Sequence, residues 1–268
     1  MIKPFSDSTK KSKCYNFFLF KKPGSFLIFL LLICLFECKE SNQTNSLSPK
    51  AIQRDTSYSS VLIGNLVWFS ENLKVEKFRN GEKINYAKTQ EEWKALNEKK
   101  LPAFAYYNFD SLNCAKMGKL YNWFAVTDDR MLAPLGWRIP SELDWRNLEN
   151  HCDSLYGQKN VDIEHFEDFR QGTIELLSGE GWQTEGSNRM GFNALPCGFI
   201  DELGNSSIQQ FTTGWWSNTP YYKKYQDSSQ PACEDCSYCF IVNSLGRDYH
   251  NISSIGFGLY IRCVTDIP

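Results

Sequence analysis

Hydrophobic and polar positions divide the chain into three unlike stretches. Phe26 to Phe36 is an unbroken apolar run, residues 39–58 are rich in Ser, Asn, Gln and Thr, and the remainder alternates short apolar runs with polar loops. In the third stretch, two apolar runs flank Gly64-Asn65 between Tyr58 and Phe69, the pattern of a hairpin with glycine first in its turn. Thr89, with Glu92 three residues on, predicts a helix over about 90–98. Ser141 with Asp144 behind Pro140 predicts a second over about 142–152. Beyond Leu177, clusters of Gly, Asn, Ser and Trp separate brief apolar runs, of which Phe240–Asn243 and Gly256–Val264 read most clearly as strands. Helices early and strands late describe an α+β domain.

The first stretch reads as an address. Lys21-Lys22 precede the eleven apolar residues from Phe26 to Phe36, a run too short to cross about 30 Å of hydrocarbon and of the length of a signal-peptide core. Glu37-Cys38-Lys39-Glu40 then opens a polar run with the composition of a flexible tether. The pattern resembles a bacterial lipoprotein signal, with Cys38 as the acylated residue and 1–37 as the signal peptide. Leu35-Phe36-Glu37 departs from the small residue usual before such a cysteine. Cys34 is a rival attachment point, an uncleaved N-terminal anchor is the alternative, and the long segment before Lys21 leaves open a start further downstream. Either reading places residues 58–268 outside the cytoplasm, at the outer membrane or cell surface, behind a tether at 38–57.

Charge narrows the partners. Residues 1–37 hold six Lys against Asp7 and Glu37, so the rest of the chain has 23 basic and 29 acidic residues, a net charge of −6. An acidic domain without a basic stripe is a poor match for nucleic acid, and its contact with a membrane is expected through the lipid anchor. With eight Trp and 15% aromatic residues, ring burial should dominate stability.

Seven cysteines follow Cys38, at 114, 152, 197, 233, 236, 239 and 263, and an exported chain can keep disulfides. Cys233, Cys236 and Cys239 have zinc-like spacing, but a closed site needs four ligands and no partner pair is evident. A loop cross-linked to itself or to Cys197 is the plainer reading.

Six ordered blocks carry a family likeness: Val61 to Leu73, Gly118 to Ala125, Pro134 to Trp145, Gly191 to Pro196, Trp215 to Ser217 and Ile261 to Val264. Together they resemble the Fibrobacter succinogenes major paralogous domain, over roughly 58–266. The resemblance implies a C-type-lectin-like or formylglycine-generating-enzyme-like fold in exported bacterial proteins, here with two short helices and loop-rich antiparallel sheets. It brings no established catalytic residues. Two departures bear on cysteine pairing: Ala133 stands where the family often has Cys, and Cys197 where it has Gly. In folds of this type a terminal-strand cysteine is usually tied to an earlier element. For Cys263 the resemblance therefore implies a disulfide, with Cys114 the first partner and Cys152 the second.

Calcium is the cofactor such a fold brings into question, because lectin sites ligate it with carboxylate and amide oxygens. Here Gln230-Pro231 is followed by Ala232, and Trp216 by Ser217-Asn218, so the oxygen set is incomplete and no cofactor is assigned. A reactive thiol needs a thiolate-stabilising setting that spacing does not supply for Cys197 or Cys263. His151, His165 and His250 lack a nucleophile-base context. Aromatic residues remain. Trp182, Tyr221, Tyr222, Tyr225 and Tyr238 fall in the loop-rich half and are the candidate ligand-binding residues, whereas Trp215 and Trp216 belong to the shared blocks and read as core. The expected function is a non-enzymatic binding or adhesion module for a glycan or envelope protein, with specificity in loops near 219–239 and 154–170. An enzyme or modifying factor related to formylglycine-generating enzymes, or a structural envelope protein, is the alternative.

Overall fold

The computed structural model describes residues 54–157, 171–207, 209–221, 235–246 and 248–267. All lie within one unit, Lys50–Pro268. Strands β1 (Ser60–Ile63) and β2 (Leu66–Phe69) form the expected hairpin, turning at Gly64 with φ 63°. After β3 (Asn85–Tyr86) comes α1 (Gln90–Glu98), capped by the Thr89 hydroxyl, which accepts from the Glu92 amide. The Glu92 carboxylate reaches back one residue further than a capping box requires, to the Lys88 amide. Strand β4 (Ala103–Ala105), helix α2 (Cys114–Met117), strand β5 (Leu120–Tyr121) and helix α3 (Trp123–Val126) are short.

Helix α4 (Glu142–Tyr156) has the full capping box, with Ser141 and Asp144 bonding each other's backbone amides. It runs four residues past the predicted end, to Gly157 at φ 78°. Helix α5 (Gln171–Ile174) precedes the longest strands, β6 (Thr212–Pro220), β7 (Cys236–Asn243) and β8 (Asp248–Ser254), and β9 (Val264–Asp266) closes the domain. Three small sheets result, with orders β1-β2-β9, β3-β4-β5 and β6-β7-β8. Among the described strands only the β3–β4 pair is parallel. The fold is α+β and rich in loops. Among the described residues no helix is long and apolar enough to cross a membrane.

The strand expected over Gly256–Val264 is divided among partners. Gly258 bridges Ile200, Leu259 bridges Tyr121, Tyr260 bridges Trp215, and only from Val264 does a regular strand begin. This segment stitches elements together instead of extending a sheet. The two ends of the domain also meet: the Arg54 guanidinium donates to Thr265 Oγ1 at 3.3 Å and to the Asp266 carbonyl at 3.0 Å, and lies over the Trp137 ring. The Trp137 indole in turn donates to the Asp55 carbonyl at 2.7 Å. Residues 54 and 55, within the stretch expected to be tether, are thus held against the domain.

The core is aromatic. Trp145 on α4 stacks on Phe240 at 4.9 Å and packs against Trp68 at 4.8 Å, Trp215 at 5.9 Å and Phe192 at 6.2 Å. Amid these rings lies a fully buried cation, Arg262. It donates from Nε to Asn72 Oδ1 at 2.8 Å, from Nη1 to the Phe69 and Phe192 carbonyls at 3.1 and 2.5 Å, and from Nη2 to the Asn193 carbonyl at 2.9 Å. Its planar fork also lies over the Phe192 ring at 4.5 Å. Asn72 Oδ1 receives the Trp215 indole at 2.9 Å as well, and its amide donates to the Met117 carbonyl at 2.8 Å. Burial pulls the Arg262 pKa down to about 9, opposed by Cys197 and Glu71.

Candidate functional site

The strongest surface feature is a groove of about 560 Å³ lined by Glu71, Lys74, Lys116, Ser178–Glu180, Ser187, Asn188, Asn193 and Leu195. That volume falls in the range of about 300–1,000 Å³ typical of ligand sites. Its walls come from three separate segments. Glu71 and Lys74, just beyond β2, pair at 2.8 Å, and Lys116 lies on α2. The third segment is the irregular chain after α5, where Asn188 and Asn193 adopt left-handed conformations with φ 47° and 56°. Asparagine tolerates that region better than most residues. The two are tied by the Asn193 amide donating to Asn188 Oδ1 at 2.7 Å. Backbone of this kind, held by its own side chains, presents a fixed surface.

The chemistry of the groove is unspent. Lys74 is matched by Glu71, but the Lys116 ammonium, the Glu180 carboxylate and the Asn193 carboxamide make no hydrogen bond or ion pair among the described residues. Lys116, Glu180 and Leu195 also line a smaller cavity of about 170 Å³, whose walls include Met117, Pro196, Cys197, Gln209 and Gln210. Gln210 is in the left-handed region at φ 72°, which is uncommon for a residue with a side chain. A comparable depression of about 530 Å³ around Arg79, Asp128 and Arg138 differs in being internally matched. There Arg79 donates to the Ala133, Pro134 and Trp137 carbonyls, Asp128 pairs with Arg130, and Arg138 pairs with Asp144.

Thiol chemistry is suppressed by burial. Cys197 is 1% exposed and burial pushes its pKa up to about 12, against the pull of Arg262, Lys116 and Tyr260. Cys263 is fully buried and its thiol is pushed up further still, chiefly by burial. Both stay protonated at neutral pH, so neither is an activated nucleophile.

Cys263, at which a disulfide is expected, is a free buried thiol, as is Cys197. Cys263 belongs to the same buried apolar cluster as Ala133, the position where a cysteine partner is replaced by a methyl group. Cys114 starts α2, whose Met117 packs on the other core cluster, and Cys152 is buried in that other cluster too. The Cys114 side chain itself lies outside the described set. Cys236 is disulfide-bonded, so Cys197, being free, is not its partner, and zinc cannot take Cys236 as a thiolate. Among the described residues no three His, Cys, Asp or Glu side chains converge on a metal position.

The other sequence-derived candidates are dispersed. Cys38, Tyr222, Tyr225, His165 and Gln230–Ala232 lie outside the described residues, as does most of both loops expected to hold specificity. Tyr221 and Tyr238 do come together, edge to face at 5.5 Å, at the end of β6 and on β7, and both are half-buried. Trp182 is half-buried against the core with its indole donating to the Ala194 carbonyl at 2.8 Å, so the ring is fixed by structure. Trp215 and Trp216 are fully buried, as expected of core residues. Lys116, Glu180, Asn188 and Asn193 were not singled out by sequence. The one local signal was the Gly, Asn and Ser content of residues 186–193.

The decisive comparison is with protein families. A model described as the Fibrobacter succinogenes major domain matches residues 61–265. The chain belongs to this family. No curated protein and no solved structure matches it. The blocks that mark a Fibrobacter succinogenes major domain meet around the buried arginine. Asn72, Phe192, Asn193, Trp215 and Arg262 come from four of them, and Trp145 of a fifth stacks on the same rings. Gly118, from the sixth, packs so closely that a Cβ there would sit 2.7 Å from Asn72 Cβ. The shared pattern of the family therefore encodes the core.

Proposed function

We propose that this domain is a non-enzymatic binding module on an exported, lipid-anchored surface protein, and that the groove between Lys74, Lys116, Glu180 and Asn193 holds its ligand. The observation that carries the reading is the unspent polar lining: a cation, a carboxylate and a carboxamide on a preorganised loop surface. Such a lining suits a hydroxyl-rich ligand, which offers donors and acceptors in equal supply and takes them from both charges and amides. The buried, protonated thiols speak against covalent chemistry. The surface address rests on the apolar run ending at Phe36 and the polar segment after Cys38.

Glycan-array binding of the purified full-length chain, with and without chelator, tests the reading. Saturable binding that is chelator-insensitive and weakened about tenfold or more by Lys116→Ala with Asn193→Ala is expected, the loss of one charged and one neutral hydrogen bond. Binding unaffected by that pair of substitutions, or chemical turnover of the bound compound, would overturn it.

A further inference from the structure

We infer that the ligand is a 2-acetamido sugar, seated with its ring in the polar groove and its N-acetyl group in the adjoining small cavity; this rests on the reading of the groove as the ligand site. The two spaces share Lys116, Glu180 and Leu195 as walls but differ in character. The larger is lined mostly by charges, hydroxyls and amides, whereas in the smaller Met117, Pro196 and the neutral Cys197 join Leu195 beside Lys116, Glu180, Gln209 and Gln210. A plain hexose presents hydroxyls on every side and would leave such a cavity wet and unmatched. An acetamido group ends in a methyl, which suits thioether, proline and thiol walls.

A second feature marks where the acyl oxygen belongs. Half-buried Gln209, at the cavity wall, donates its side-chain amide to the Met117 sulfur at 3.5 Å. A thioether is a weak acceptor, so this donor is served poorly by the protein itself. A carbonyl oxygen arriving between Gln209 and Met117 accepts the same N–H far better. Glu180, which lines both spaces, is the carboxylate available to its amide N–H. The ligand class is therefore defined by one acyl group, one amide N–H and a ring of hydroxyls.

The test is titration of the full-length chain with β-linked trimers of N-acetylglucosamine, glucosamine and glucose, read by calorimetry. Methyl-labelled methionine NMR serves as a second readout that needs no substitution. The N-acetylated trimer should bind about tenfold or more tightly than the other two, for a buried methyl and one added hydrogen bond. It alone should shift the Met117 methyl, and Gln209→Leu should erase the preference. Equal affinity for glucose and N-acetylglucosamine trimers, both lost in Lys116→Ala, would refute the acetamido assignment while leaving the groove as a saccharide site. Binding of none of the three would remove both.

Discussion

Arg262 gives the sharpest test of how the domain is held together. Arg262→Lys keeps a positive charge in the same buried position but replaces three fixed nitrogens with one. Arginine satisfies Asn72 Oδ1 and the carbonyls of Phe69, Phe192 and Asn193 together. A lysine ammonium cannot span them, and Asn72 Oδ1 retains the Trp215 indole. About two carbonyls are then left unpaired, each costing roughly 1–3 kcal/mol, for a total of about 2–6 kcal/mol. In a domain of this size each kcal/mol lowers Tm by about 2–4 °C, so a fall of about 5–20 °C is expected in differential scanning calorimetry. Arg262→Met removes the charge and its desolvation cost but strands the same carbonyls, and should also melt below wild type. A lysine variant melting within about 2 °C of wild type, or a methionine variant more stable than wild type, would refute the network as a source of stability.

Trp145→Ala should cost about 3–5 kcal/mol, read by urea unfolding, because the ring is fully buried among four other aromatics. Alkaline pH should destabilise the fold. Tyr58, pushed up to about 12 mainly by burial, and the buried Cys197 and Cys263 thiols contribute stability that is full below their unfolded pKa values of about 9–10. That stability is lost as pH rises toward about 12, and Cys263→Ala should flatten the decline in urea unfolding between pH 9 and 11. Under native conditions Cys197 and Cys263 should resist alkylation, and both should react after unfolding without reductant, as seen by peptide mass mapping. Metabolic labelling with an alkyne fatty acid should mark the chain and be lost in Cys38→Ser, whereas loss in Cys34→Ser alone would move the proposed anchor.

What the sequence disclosed was the locally written part. The ends of α1 and α4 are set by Thr89 and Ser141 bonding amides three residues on, chemistry that needs no knowledge of the rest of the chain. The Gly64 turn is legible for the same reason. Strand β6 was not, because five consecutive residues from Thr213 to Ser217 are buried and no alternation betrays a strand. The 256–264 segment misled because its apolar residues answer to Ile200, Tyr121 and Trp215 in turn. The groove was illegible for a stronger reason: residues near 71, 116, 180 and 193 become neighbours only through the fold, and each alone is an ordinary surface polar residue. A partner for Cys263 could not be read locally either, because pairing needs a second cysteine at a particular place in the fold, and Ala133 is a neighbour in the same buried cluster.

The clasp between Arg54 and Asp266 makes the domain a nearly closed ring of chain. Residues 54 and 266 therefore lie side by side at the surface of the domain. A circular permutant in which a few glycines join Asp266 to Arg54, with new ends opened at the exposed Gly81 turn, should fold with the same core. By the same geometry the domain can be spliced whole into a loop of another protein without prying that loop's ends apart.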